Sequence, residues 1–472
     1  MHPRQIRLAA TLAAVIALGG CAVSRPDFDA IGAAALPQDW QRSSLPAGEA
    51  AAWEDFWARW RDPTLARLIE RALEANPDIA TAAANLRAAR ASVTTADAAL
   101  WPMAKVGADA GRNRAGGETR SSYSLEGSAA LSLNLAGSEF WKADAATLRA
   151  LASELTLEDV RAATSAEVAS AYLSLRAAEA QLEIGRKSLE NYAETAETSR
   201  WQFEAGTGAA SEAEDALVQL ASARARIPAL EGSILQYRNA LMRLTGAPVA
   251  ELGLEPTGAL PEPPAGLAAA IPAETIARRP DVRAARRTAE AAVESLRSAK
   301  SDFLPTLSLS GNIGTTAATV SALGTAGTGV AGLAAALSAP ILNWGALAAA
   351  EESAAAELDR TVAAYRSTLL SALEETDNAL VQIADAERRR TNLDAALEHA
   401  RTVERLARQE YEAGIGDYAM LLSTQRSLLS AEETELSNRA DRAAGYVKLY
   451  RALGGAWGAS AASDAKASAA DR

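Results

Sequence analysis

Few residues in this chain could carry covalent chemistry. Among 472 residues there are one cysteine, Cys21, and two histidines. His2 falls in the first three residues, which leaves His399 as the only candidate imidazole. Zinc sites, disulfide frameworks and Ser-His-Asp hydrolysis all need more than this. No Gly-rich phosphate loop follows a strand pattern, and no metal-ligand spacing occurs. Carboxylates are abundant but scattered beside Arg, as in Glu387-Arg388-Arg389-Arg390. Such clusters read as solvated surface pairs, each worth well under about 1 kcal/mol. A net charge of −12 argues against a nucleic-acid partner. The expectation is no catalytic residue, no metal and no enzyme activity.

Cys21 is the one residue with an assignable reaction. Arg4 and Arg7 precede a mostly apolar run from Leu8 to Leu18, too short to span a bilayer as a helix. Residues 1–20 therefore read as a signal peptide. Leu18-Gly19-Gly20-Cys21 resembles a bacterial lipobox. Cys21 would then be the first mature residue and carry covalent lipid, palmitate included, with no other cofactor. Ala22 follows where an Asp would resemble an inner-membrane retention signal, so the outer membrane is favoured. The alternative is a plain free or buried thiol in a secreted protein.

The remaining elements come as two copies of one unit. Asn76-Pro77-Asp78-Ile79 returns as Arg279-Pro280-Asp281-Val282, and Trp101-Pro102 as Leu304-Pro305, both 203 residues on. Gly111 matches Gly314 at that offset too. Gly137, Ala171 and Glu179 match Gly345, Ala379 and Glu387, and Phe203-Glu204-Ala205-Gly206 matches Tyr411-Glu412-Ala413-Gly414, now 208 residues on. The expected layout is a lipidated segment at 21–63, repeat 1 at 64–255, a Pro-rich linker at 256–272, repeat 2 at 273–455 and a disordered Ala/Ser-rich tail at 456–472.

Each copy opens with a helix, from Asp78 to Leu100 or Asp281 to Leu304. A β-hairpin follows, at 104–135 or 306–341, where apolar and polar residues alternate. A long helical hairpin closes each copy, at 138–245 and 346–453. Its first arm lacks Pro and holds an apolar seam of Val168, Ala171, Leu175, Ala178, Leu182, Gly185, Leu189, Tyr192 and Ala196, with coiled-coil spacing. That arm could reach roughly 100 Å at about 1.5 Å per residue. The return arm, Ser211 to Leu244, is expected to break at Pro228. Aromatics make up only 5% of the chain, so a core here leans on Ala, Leu and Val.

Four strands cannot close a barrel, and lipid does not tolerate open edges. Membrane strands would thus require a barrel shared between copies. Leu125, Leu131, Leu133, Leu307, Leu309 and Ile313 would face lipid, and the Ser, Asn and Glu residues between them the lumen. Trp101, Trp141 and Trp344 fall near strand ends, where interfacial aromatics belong. Two alternatives stay open: soluble hairpins capping a helical bundle, or a membrane helix within the uncharged run 303–350.

Three stretches carry a family resemblance. They are Trp60-Arg61-Asp62-Pro63-Thr64-Leu65 running on to Ala72-Leu73-Glu74-Ala75-Asn76, then Arg278-Arg279-Pro280-Asp281-Val282-Arg283, and Tyr411-Glu412-Ala413-Gly414 with Leu421-Leu422-Ser423-Thr424-Gln425-Arg426-Ser427-Leu428. Over about Trp53 to Gly455 the chain resembles TolC-like outer-membrane efflux factors, in the lipoprotein branch typified by OprM and NodT. The resemblance implies a mainly α fold with membrane β: a trimeric long-helix tunnel continued by a shared barrel with four strands per protomer. It implies a passive exit duct for small molecules in the outer membrane of a Gram-negative bacterium. The implied partners are a homotrimer, a periplasmic adaptor (membrane fusion) protein, an inner-membrane pump of RND type and outer-membrane lipid.

In that family the helix tips close the periplasmic entrance and meet the adaptor. They map to Phe203–Glu212 and Tyr411–Ser423. The implied gate residues are Glu212, Tyr411, Asp417 and Ser423, and the implied adaptor contacts are Gly206, Thr207, Gly208, Gly414, Ile415 and Gly416. Many relatives have Asp where Ser423 stands, so one acidic ring is missing unless Asp417 or Asp215 replaces it. Plainer readings exist for each: Glu212 as a first-turn carboxylate favoured by the helix dipole, Tyr411 as packing, the glycines as chain reversal. The competing function is a periplasmic coiled-coil adaptor or scaffold lipoprotein, which would carry one hairpin and a lipoyl-like region.

Overall fold

The computed structural model describes residues 23–35, 56–256, 259–264 and 274–455. The expected signal peptide, Cys21, the expected disordered tail at 456–472 and part of the linker lie outside the described residues. The elements run α1 (Phe28–Ala35), α2 (Phe56–Arg59), α3 (Pro63–Ala75), α4 (Pro77–Ala98), β1 (Met103–Ala115), β2 (Glu118–Asn134), α5 (Ser138–Glu204), α6 (Ala210–Thr245). They continue α7 (Glu274–Ala277), α8 (Pro280–Ser301), β3 (Thr306–Ala317), β4 (Gly329–Ser338), α9 (Trp344–Glu412) and α10 (Tyr418–Ala452). The described chain divides into two compact units; the first takes Ala84–Thr156, Arg283–Thr368 and the described residues up to Ala33.

The first unit holds one antiparallel sheet in the order β1-β2-β3-β4. Its central pair joins the two repeats, from Tyr123 opposite Ala317 to Asn134 opposite Thr306. Directly opposed residues share a face. Leu131 faces Leu309, Leu133 faces Leu307, Leu307 in turn faces Leu337, and Leu125 sits beside Ala108. Ser128 faces Lys105 and Asn312, and the Ser132 and Ser308 hydroxyls lie 3.2 Å apart. One face is therefore apolar and the other polar, and the apolar one also takes in Val106 and Leu333. Much of that apolar face is bare: Ile313 is 72% exposed and Leu333 is 90% exposed. Strands β3 and β4 occupy the uncharged run, and no helix among the described residues is long and apolar enough to cross a membrane.

The strand-end tryptophans differ in their surroundings. Trp101 and Trp344 are exposed, but Trp141 donates its indole N–H to the Ala136 carbonyl at 3.0 Å and lies under Arg297. Trp141 stays half-buried at the strand end, its indole N–H satisfied by its own chain. The segment after Cys21 also contains an unforeseen helix. Asp27 caps α1 by accepting from the Asp29 and Ala30 amides. Phe28 then packs edge-on against Tyr365, and Asp29 pairs with Arg286 at 2.7 Å.

The second unit contains the hairpin tips and a helical core. Asp62 accepts from the Thr64 and Leu65 amides, Pro63 opens α3, and Leu65, Leu68, Ile69 and Ala72 bury its stripe. The α5 seam buries Val168, Leu175, Ala178, Leu182, Tyr192 and Ala196. At Gly185 an added Cβ would lie 3.2 Å from Leu230, so the small residue allows close helix approach. Helix α6 does not break at Pro228 but runs through it. Pro228 is exposed, so water can satisfy the carbonyl that loses its helical partner. The chain entering the linker is pinned: Leu252, Leu254 and Leu260 are buried, and Arg176 donates to the Glu255 carbonyl at 2.7 Å. Beside it, burial and a hydrogen bond to Asp62 push the Tyr172 phenol up to about 12.

Candidate functional site

The two hairpin tips reverse by one shared pattern. In the first, Gly206 N–H donates to the Phe203 carbonyl, and Thr207 and Gly208 both donate to Gln202. In the second, Gly414 donates to Tyr411, and Ile415 and Gly416 both donate to Glu410. This capping needs a left-handed residue, and Gly206 and Gly414 have φ of 73° and 74°. The following glycines answer to space instead. A Cβ on Gly416 would lie 2.7 Å from the Tyr411 nitrogen, and one on Gly208 3.0 Å from Gln202 Cβ. Chain reversal thus accounts for both glycine pairs. Ile415 projects 82% exposed with Met420 exposed after it, and Trp201 and Phe203 are exposed just before the first tip.

Below the tips lies a small core of Tyr192, Ala196, Ala216, Leu220, Tyr411, Tyr418 and Leu421. Tyr411 is 4% exposed; its hydroxyl is 2.9 Å from the Ser199 hydroxyl. Burial pushes the Tyr411 phenol up. Packing describes this side chain well. Tyr418 lies 6.2 Å from it, ring to ring, and donates to the Asp215 carboxylate at 3.1 Å. Burial first, then that carboxylate, pushes the Tyr418 phenol up. The bond ties the start of α10 to the start of α6.

The acids fall into distinct settings. Asp417 caps α10, accepting from the Ala419 amide at 3.3 Å. Helix α6 has no side-chain cap at Ala209, and Glu212 supplies the acid of its first turn. Asp215 and Ser423 instead line one open groove of about 740 Å³ together with Tyr418, Arg426, Ser427 and Thr434. Ser423 and Asp215 thus line the same groove, while Glu212 and Asp417 are outside its lining. Sequence reasoning missed Arg426 and the Tyr418–Asp215 bond. Those partners lie 203 residues apart, while the repeat offset in the hairpins is 208, so no sequence signal linked them. Among the described residues no His, Cys, Asp or Glu cluster could hold a metal. His399 stands exposed on α9.

A family model described as outer membrane efflux protein matches residues 68–247 and 271–455. The chain is 30% identical over 436 residues to the pyoverdine export outer membrane protein OpmQ of Pseudomonas putida, covering 90% of this chain and 92% of that one. Among solved structures it is similar to the outer-membrane channel OprN, with TM-score 0.81 and 29% identity over 90% of this chain and 99% of that one. It is also similar to the open state of the Neisseria gonorrhoeae MtrE channel, with TM-score 0.78 and 28% identity over 89% and 98%. The family match takes in both repeats, which the single-hairpin adaptor reading does not fit.

Proposed function

The chain belongs to the outer membrane efflux protein family, and from that premise we propose that it is the exit duct of a tripartite efflux system. It is a transport protein of the outer membrane, with its helices forming a periplasmic tunnel. We further propose a homotrimer that docks onto a periplasmic adaptor and, through it, an inner-membrane pump of RND type. The open-edged sheet carries this reading. Strands β1 and β4 each have one unpaired edge, and one face is bare Leu, Ile and Val. In lipid every backbone group needs a partner, so the edges must pair with other copies. Three copies supply twelve strands, with Ser, Asn, Glu and Lys turned to a water-filled lumen.

The gate reading rests on the tips. In the closed state the Tyr418–Asp215 bond joins α10 to α6, and Asp215 with Arg426 supplies the charge that Ser423 lacks. Opening requires an adaptor that binds the open packing better than the closed one. Exposed Ile415 and the main chain at Gly206–Gly208 and Gly414–Gly416 offer that contact. At the same tips Asp417 acts as a helix cap, Tyr411 through packing and Glu212 as a first-turn acid. Lipid on Cys21 would add an anchor beside the barrel.

Native mass spectrometry of detergent-extracted protein tests this. Three protomers, each with the mass of a lipidated Cys21, are expected. A monomer that leaves the membrane without detergent would overturn the shared barrel, and an unmodified thiol would overturn the anchor alone.

A further inference from the structure

The alternation along β1 continues past its apolar part. Ala104, Val106, Ala108 and Ala110 share the apolar face, opposite Ala129, Gly127, Leu125 and Tyr123. The next two residues on that same face are Arg112 and Arg114, opposite Ser121 and Thr119. Both are exposed, and neither makes an ion pair among the described residues. The acid near this turn, Glu118, falls on the other face, as does its partner Arg120 at 3.1 Å. Residues 303–350 hold no charged side chain, so neither β4 nor its turn could supply an acid from a neighbouring copy. Closing the barrel therefore leaves both guanidinium groups on the lipid side without a protein counter-charge.

Their height is informative. The helices leave the sheet at one end, through Met103, Asn134, Thr306 and Ser338, and the hairpin turns lie at the other. From Leu133 to Tyr123 the apolar band spans ten residues, about 25 Å of height for a tilted strand. Arg112 begins one side-chain step beyond that band, at the end away from the periplasmic helices. Interfacial arginine at that level meets lipid headgroups.

We propose that Arg112 and Arg114 form a phosphate-binding pair for phosphorylated glycolipid of the outer leaflet, three such pairs ringing the barrel. Each guanidinium offers a planar fork of donors that matches a phosphate. The proposal rests on the barrel reading above. It adds that the outward rim selects an anionic lipid, where the lumen-side Arg120 does not.

The test titrates purified full-length protein in neutral detergent with diphosphorylated lipid A and with its dephosphorylated form, counting bound lipid by native mass spectrometry. Wild type is expected to prefer the diphosphorylated lipid, less so as salt rises. Arg112→Gln with Arg114→Gln should weaken binding by roughly thirtyfold, two basic residues' worth at an anionic surface. Arg120→Gln should leave it unchanged. Equal binding by the double variant, an equal loss in Arg120→Gln, or indifference to phosphate would each overturn the proposal. A wild-type protein that leaves the membrane without detergent would sink the barrel reading and this proposal together.

Discussion

The two repeats hold the ends of their return helices with different chemistry. In the first, Asn76, 2% exposed, donates its amide to the Leu244 carbonyl at 2.9 Å. In the second, the matching position is Arg279, equally buried, donating to the Ala452 carbonyl at 2.8 Å. Both satisfy a last-turn carbonyl that the helix cannot. The neutral amide also caps α4, accepting from the Asp78 and Ile79 amides. The buried cation needs carboxylates. Asp281 takes two of its hydrogen bonds, at 3.0 and 2.7 Å, and Glu375 lies 2.9 Å away. The change propagates. Glu167 and Arg243, the first-copy counterparts of Glu375 and Arg451, pair only at 3.8 Å on the surface, while Arg451 turns to Asp159. One fold position is thus met by a hydrogen bond in one copy and by a charge network in the other. The network is the more fragile solution, since losing one member strands the others.

That asymmetry makes Arg279→Ala the most damaging change, costing roughly 3 kcal/mol by chemical unfolding because it strands the half-buried Asp281 carboxylate and the buried Ala452 carbonyl and empties the space of a fully buried side chain. Asn76→Ala should cost about 2 kcal/mol, one buried carbonyl left unsatisfied and one cap lost. The reverse order would mean that capping, not charge, sets the worth of the anchor. Asp281→Asn should cost about 1.5 kcal/mol at pH 7, the scale of hydrogen bonds to a charged group.

Its pH dependence sharpens the contrast. Burial pushes the Asp281 carboxyl up, but hydrogen bonds to Arg279 and the Arg279 charge outweigh it and hold it below the ordinary range. Stability from a depressed carboxyl is present above about pH 4 and lost as pH falls through the depressed value. The gap in melting temperature between wild type and Asp281→Asn should therefore shrink below about pH 4. The gap for Asn76→Ala should not follow it.

The tips allow a milder comparison. Gly416→Ala meets main chain at 2.7 Å, whereas the nearest atom to Gly208→Ala is a side-chain Cβ at 3.0 Å. The first should cost about 1 kcal/mol more than the second, at the low end for overpacking. Amide hydrogen exchange over Tyr411–Ser423 and Phe203–Glu212 would show which tip loosens. Smallest of all, Glu167→Gln should shift stability by less than about 0.5 kcal/mol, since its pair is exposed.

Local pattern determined much of this protein. The recurrence of Asn76-Pro77 as Arg279-Pro280 foretold two copies of one unit. Alternation along 121–135 foretold a strand with one apolar face, because side chains in a strand point to opposite sides. Gly206 and Gly414 foretold reversals, because left-handed backbone favours glycine. These signals are local, so they can be read from spacing alone.

What only the tertiary structure decided depends on distance and solvent. That Pro228 rides through α6 depends on its facing water. That Trp141 folds back depends on the Ala136 carbonyl and Arg297. That Tyr418 reaches Asp215, and that Asn76 and Arg279 do one job with different chemistry, depends on groups far apart in the chain. The physical reason is the same each time. A polar group's role is set by whichever partner the fold delivers within hydrogen-bonding distance, and spacing along the chain does not carry that information.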